Sequence, residues 1–265
     1  MHGLFTIAKK YVHYYLTASN GHGHGIHSPF VFSFIKNVLT DKKKYNVYKH
    51  IEAQRKRLLN DEQAIEVKDL GAGSMEYNTS QRRVKNIASS SLKPKKYAQL
   101  LFRIVQHYQC QNVVELGTSL GITTAYLASA THRPQVTTLE GSPAISKVAE
   151  QTFAALQLLN IKPIIGNFND TLPQWLAHTN TVDFVFIDGN HRKAPTLQYF
   201  SLLLTKANSK TIFIFDDIYW SAEMEQAWGQ IKSHPQVRLS INLFFIGIVF
   251  IDPIFLVKQH YTIRF

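Results

Sequence analysis

From residue 111 onward, short apolar runs alternate with stretches of helical spacing. The runs 112–116 (NVVEL), 135–140 (QVTTLE), 161–165 (IKPII), 182–188 (VDFVFID) and 210–216 (KTIFIFD) read as strands. Apolar positions spaced three and four apart predict helices over 120–130, 143–158, 171–179, 193–205 and 221–234. Strands divided by helices need crossover connections, so the sheet is predicted to be mainly parallel, with helices on both faces. The tail departs from this rhythm. VRLSINLFF (237–245) and IGIVFID (246–252) follow each other with almost no linker, which predicts an antiparallel pair closing the sheet. A final short strand fits 261–265.

The first 110 residues read differently. Helices are expected at 3–17, 29–39, 47–60 and 94–109, with a break at 89–94 (SSSLKP). The stretch 21–29 is a glycine-rich loop carrying His22, His24 and His27. The expected organisation is an N-terminal helical, basic extension over 1–93 and an α/β domain over 94–265. DLGAGS (69–74) imitates a second ligand loop, but the polar, basic RRVKNIASSSLKPKK that follows starts no strand–helix series. It reads as a turn bearing on the substrate side.

Charge sharpens this division. Residues 1–110 hold 18 Lys and Arg against 7 Asp and Glu, whereas 111–265 hold 11 of each. The net charge of +11 therefore belongs to the N-terminal part, a surface suited to a polyanion or to solvation alone. The single cysteine, Cys110, excludes an intrachain disulfide and a cysteine metal cluster, and a reducing cytoplasm is the natural compartment. The longest apolar run, 243–251, is too short for a transmembrane segment, and residues 1–20 lack a signal-peptide pattern. Self-association as a homodimer is compatible with the apolar pattern at the N-terminus.

Candidate chemistry lies at the carboxyl ends of successive strands, where open α/β sheets bind ligands. In VVELGTSLG (113–121), a strand ends in Glu115, turns through Gly117, Thr118 and Ser119, and enters a helix at Gly121. The first glycine pair of the dinucleotide fingerprint is missing, which argues against a pyrophosphate. A carboxylate at the helix N-terminus and an ammonium near Glu115 suit the loop better. Glu140 ends the next strand, followed by Gly141, and is placed to accept both hydroxyls of a ribose. Asn167 and Phe168 follow the third strand, where an adenine would lie, and Asp188 follows the fourth. His191, three residues beyond Asp188, is a candidate general base, since a histidine titrates near about 6.5.

These motifs carry a resemblance. Segment 113–252 resembles the O-methyltransferase branch of the class I S-adenosylmethionine-dependent methyltransferases. IDGNH (187–191) is similar to that branch's IDGDH element, and IFDDI (214–218) to its strand-end acid motif. The whole chain, with GIHSPFVF (25–32) and DLGAGS (69–74), resembles a Bacteroidetes group of such enzymes. The resemblance implies a Rossmann-like methyltransferase fold with a seven-stranded sheet in the order 3-2-1-4-5-7-6. It implies S-adenosylmethionine as cofactor, held by Glu115, Gly117, Thr118, Ser119, Gly121, Glu140, Gly141, Asn167, Phe168 and Asp188. It also implies methyl transfer to an oxygen of a small-molecule acceptor, with Asp188 and His191 as catalytic candidates. Asp188, Asp216 and Asp217 match positions that hold a divalent ion such as Mg²⁺. The chain departs from the catechol-type pattern in having Asp217 where an Asn is usual. Two other readings remain: a nucleic-acid methyltransferase that uses the basic part, and a cofactor-binding protein of the same fold without catalysis.

Overall fold

A computed structural model describes residues 2–19, 21, 23, 27–69 and 78–265. The turn expected at 69–74, from residue 70 onward, and the loop residues His22 and His24 lie outside the described residues. The chain forms two compact units, residues 42–180 and residues 1–41 with 181–265.

In the first unit, β3 (Asn112–Leu116), β4 (Gln135–Glu140) and β5 (Ile161–Ile165) are parallel and lie in the order β3-β4-β5. The helices between and after them are α6 (Ile122–Ala128), α7 (Pro143–Ala155) and α8 (Phe168–Ala177). Ahead of these come α3 (Asn46–Leu59), an antiparallel hairpin of β1 (Ala64–Asp69) and β2 (Asn78–Arg83), α4 (Val84–Ser91) and α5 (Lys95–Tyr108). Only part of this was expected, because the hairpin and α4 had no clear pattern. The segment packs on the helices that flank β3 and β4. Ile51, Leu58, Val67, Val84 and Ile87 share one buried core with Phe102, Leu120, Ile122, Tyr126 and Val148. The Tyr126 hydroxyl also donates to Glu52 at 2.8 Å, tying α6 to α3.

The second unit contains β6 (Val182–Ile187), α9 (Lys193–Leu204), β7 (Ala207–Asp216) and α10 (Ala222–Ser233), followed by β8 (Leu239–Asn242), β9 (Ile246–Phe250) and β10 (Gln259–Thr262). β6 and β7 are parallel, β9 runs antiparallel to both β7 and β8, and β10 is parallel to β8. The strand order within each unit matches the expectation. Eight strands follow residue 111 rather than the seven that the resemblance implies: the expected antiparallel pair is β8 and β9, and the short strand expected at 261–265 is β10, shifted to Gln259–Thr262. β10 pairs with β8, the Ser240 hydroxyl meets the His260 ring at 2.8 Å, and the Ser19 amide donates to the Thr262 carbonyl at 2.9 Å.

Phe184, Phe186, Phe213 and Phe215 are all buried, as expected of strands covered on both faces. A Cβ on Gly247 would lie 2.7 Å from the Trp228 ring, so α10 packs directly on the backbone of β9. From the N-terminus, α1 (Leu4–Thr17) lays Tyr14 and Ala18 against Phe244, with Ile7 and Tyr219 alongside. α2 (Pro29–Phe34) starts at Ser28, whose hydroxyl accepts from the Val31 amide, and sets Phe30 on Phe250 and Phe255. Its continuation over Ile35–Leu39 widens to a π-turn closed by the Thr40 amide on the Ile35 carbonyl at 2.9 Å. No helix among the described residues is long and apolar enough to cross a membrane.

Candidate active site

In the first unit the loop after β3 is held by backbone geometry. The Gly117 and Thr118 amides donate to the Leu139 carbonyl at 3.0 and 3.2 Å. Gly117 takes φ +104°, and Ser119 follows at φ +49°. Gly121 has φ +80°, and a Cβ there would lie 2.6 Å from the Phe153 ring. That glycine lets α6 and α7 pack, a structural role beyond the close ligand approach expected of it.

Glu115 is fully buried. Its Oε2 accepts from the hydroxyls of Thr124 and, at 2.7 Å, Thr138, while Oε1 has no hydrogen-bond partner. Burial pushes this carboxyl up to about 7, against the opposing pull of the two hydroxyls. Thr118 and Thr138 share a hydroxyl contact of 2.6 Å, so one polar network ties β3, its loop, α6 and β4 together. One oxygen of Glu115 is therefore used in holding the loop. The buried Ser142 hydroxyl also has no hydrogen-bond partner.

Glu140 accepts the Ser119 amide on Oε2 and the Ser142 amide on Oε1, both at 3.0 Å. Burial raises this carboxyl, and the amides of Ser142, Ser119 and Gly141 oppose the rise. A carboxylate oxygen accepts more than one hydrogen bond, so both can still take hydroxyl donors. At the end of β5, Gly166 at φ +140° donates to the Glu140 carbonyl at 2.9 Å. Asn167 caps α8 by accepting the Asn169 amide at 2.9 Å, and Phe168 opens that helix, partly buried. Asn167 thus uses its side-chain oxygen to position the turn.

One contact here was not foreseen. Ser91, at the end of α4, meets the Ser119 hydroxyl at 2.8 Å, and Lys93 acts electrostatically on Glu115. Both lie in the run 89–94, where a break between helices is expected.

The second unit holds the acids. Asp188 follows β6, Asp216 is the buried last residue of β7, and His191 Nε2 lies 3.7 Å from Asp188 Oδ1. One ligand atom from each of these three residues falls within 4.8 Å of the others. Asp217 is not in this group; it turns through φ +52°, and its carbonyl accepts the Trp220 amide at 2.9 Å. The Ser221 hydroxyl, not Asp216 or Asp217, caps α10 by accepting the Met224 amide. Asn190, at φ +57°, donates to the Tyr199 hydroxyl at 3.0 Å and so fixes the turn that presents His191. The N-terminal segment lies beside the turn after β7 and the start of α10: the His2 amide donates to the Trp220 carbonyl, and His2 and Lys10 both bond Glu225. His27 is exposed and belongs to no ligand cluster among the described residues.

Residues 114–218 match the model of a methyltransferase-domain family. The chain is 30% identical over 126 residues to a catechol O-methyltransferase of Niastella koreensis, covering 46% of this chain and 55% of that protein. It thus spans about half the length of that relative. Among solved structures, a methyltransferase of Podospora anserina bound to S-adenosylhomocysteine superposes with TM-score 0.59 at 11% identity, over 95% of this chain and 97% of that one. An O-methyltransferase of Streptomyces achromogenes involved in tomaymycin synthesis gives 0.59 at 15% identity, covering 79% and 91%. An O-methyltransferase of Bacillus cereus gives 0.56 at 19%, covering 83% and 97%. At these identities the likeness is one of fold.

Proposed function

We propose that this chain, whose residues 114–218 match a methyltransferase-domain family, is an S-adenosylmethionine-dependent methyltransferase acting on an oxygen of a small molecule. The observation that carries this is the pair of carboxylates at adjacent strand ends, Glu115 buried and Glu140 partly buried. Glu115 keeps one oxygen for an ammonium, and Glu140 spans the amides of Ser119 and Ser142 where a ribose would lie. Gly117, Thr118 and Gly121 shape the loop, Gly141 follows Glu140, and Asn167 and Phe168 form the turn for the adenine. When bound, the cofactor supplies an electrophilic methyl group on a sulfonium. In-line transfer of that methyl group to an acceptor oxygen would draw most of its rate from the alignment of the two reactants.

Asp188, His191 and Asp216 would hold a divalent ion. The donor set fits: two carboxylates suit hard ions, and the imidazole favours a first-row ion such as Mn²⁺ over Ca²⁺. Such an ion would lower the pKa of an acceptor hydroxyl. His191 is then a ligand rather than the general base, and Asp217 faces the acceptor. Tyr219 and Trp220, which follow the acids beside α1, give the N-terminal segment its part in shaping the acceptor side. A reducing compartment agrees with Cys110 being a buried free thiol, and we place the reaction in the cytoplasm.

The test is transfer of a labelled methyl group to a panel of hydroxylated small molecules, before and after chelation and on adding Mn²⁺. Loss of turnover with EDTA and its return with Mn²⁺ supports the reading. In His191→Ala the affinity for Mn²⁺ itself, read by electron paramagnetic resonance, should fall about 10- to 100-fold. Chelator-insensitive turnover would leave Asp188 and His191 as an acid–base pair without an ion.

A further inference from the structure

We infer that the exposed face of α1 is the contact surface for a second copy of this chain, the two helices packing antiparallel across a two-fold axis. This does not rest on the methyl-transfer reading. α1 is anchored along the stripe Ile7, Lys10, Tyr14 and Ala18, with Tyr11 edge-on against Phe244 and Tyr15 under the Arg264 guanidinium at its margin. Next to that stripe, at about 100° per residue, Tyr11, Leu4, Tyr15, Ala8, Val12, Phe5 and Leu16 fill a continuous apolar arc of roughly 140°. The arc lies open: Leu4 is 88% exposed, Phe5 83%, Leu16 73%, Val12 56% and Tyr15 48%. Phe245 stacks on Tyr11 with ring centroids 6.0 Å apart and carries the surface off the helix onto a loop.

The area points to a protein partner. With aromatic side chains offering about 150–250 Å² each, the arc exposes on the order of 700 Å². That exceeds the largest apolar patch of a typical monomer, about 300–600 Å², and is close to the roughly 800 Å² per partner of a stable interface. The order of side chains points to a second copy. Leu4, Ala8, Val12 and Leu16 form one i, i+4 row with a leucine at each end and the smallest side chain near the middle. Rows of this kind interdigitate in the commonest helix-pair geometry, and Ala8 permits the close approach. Turned antiparallel about the midpoint of the row, Leu4 of each copy meets Leu16 of the other, and Ala8 meets Val12. The surface is complementary to itself, as a two-fold contact requires.

Charge separates this from the other occupant such a face suits, a lipid surface. α1 contains no acid, and Lys10 is held by Glu225. The two-fold axis brings Lys9 of both copies to the same flank, so their repulsion is screened by salt and the dimer tightens as salt rises. Binding to anionic lipid would weaken instead.

Sedimentation velocity of the full chain tests the proposal. The wild type should sediment as a dimer at micromolar concentration, more tightly at higher salt. Leu16→Glu and Leu4→Glu should each weaken the dimer at least about 100-fold, with near-ultraviolet circular dichroism unchanged. The double variant Leu4→Glu/Leu16→Lys should regain it, because each glutamate then faces a lysine of the other copy. Three results would overturn the proposal: a monomeric wild type at all concentrations, a dimer indifferent to Leu16→Glu, or a double variant as weak as the single ones. Pelleting of a monomeric chain with phosphatidylserine vesicles, lost on adding salt, would assign the face to a membrane.

Discussion

Two glutamates at adjacent strand ends perform different tasks because their surroundings differ. Glu140 is held by backbone amides and remains open to hydroxyl donors. Glu140→Gln should weaken S-adenosylmethionine binding about 10- to 100-fold, the scale of losing charge-assisted hydrogen bonds, which are worth about 1.5–3 kcal/mol each. Isothermal calorimetry reads this directly, and an unchanged Kd would remove Glu140 from the ribose. Glu115 is governed by burial, and its folded pKa, about 7, lies above that of an unfolded glutamate. The folded state therefore binds more protons between about pH 4.5 and 7. Its contribution to stability is fullest below about 4.5 and is lost as pH rises through 7, by on the order of 3 kcal/mol. In Glu115→Gln this component should vanish from urea titrations taken across that range. A cofactor ammonium favours the ionised form, so binding near pH 6.5 should release a proton, seen as a buffer-dependent binding enthalpy. The sequence marked both acids by their position at strand ends. It could not show that Thr124 and Thr138, separated from Glu115 along the chain, occupy half of its carboxylate.

At the scale of elements, legibility followed burial. β3, β4 and β5 fall on the expected residues because short apolar runs between turn residues leave little choice of boundary. β1 and β2 were missed for the opposite reason. Ile65 and Val67 pair with Arg82 and Ser80, so the second strand, NTSQRR, has no apolar face to announce it. α4 was hidden by its serine run, of which Ser89, Ser90 and Ser91 bond back to carbonyls of their own helix. The acid cluster was legible as a set of strand ends, but the turn at Asn190 that brings in His191 is a matter of backbone conformation. The close packing of α6 on α7 gives a further expected outcome. Gly121→Ala forces an L side chain into φ +80° and drives a Cβ to 2.6 Å from Phe153. The left-handed conformation costs about 1–2 kcal/mol and the overlap about 1–3 more. Chemical denaturation should show a loss of roughly 2–5 kcal/mol in total. Phe153→Leu in the same background should recover the steric part only, leaving a residue of about 1–2 kcal/mol from the backbone.

For the molecule as a whole, the uneven charge is the feature that the proposed chemistry leaves unused. Some of the basic side chains in residues 1–110 have acidic partners: Arg83 and Lys85 meet Glu62, Arg55 meets Glu52, and Lys10 meets Glu225. With 18 basic residues against 7 acidic ones in that stretch, such pairing leaves a large positive excess whatever the details. An excess of this size attracts polyanions through release of their condensed counterions, and the attraction has a characteristic dependence on salt. If about four phosphates are neutralised, affinity for bulk RNA should fall about 100-fold between roughly 50 and 200 mM salt, whatever the base sequence. Fluorescence anisotropy with a labelled single strand measures this. Reversing Lys42, Lys43 and Lys44 to glutamate should flatten the slope of log K against log salt. Methyl transfer to small molecules should be unaffected, since these lysines lie outside the strand ends that carry the proposed chemistry. If wild-type affinity is absent even at low salt, the positive charge serves only hydration and solubility, and the nucleic-acid reading of the sequence falls with it. If affinity is present and RNA itself accepts the labelled methyl group, the acceptor is the polyanion and the small-molecule reading must yield.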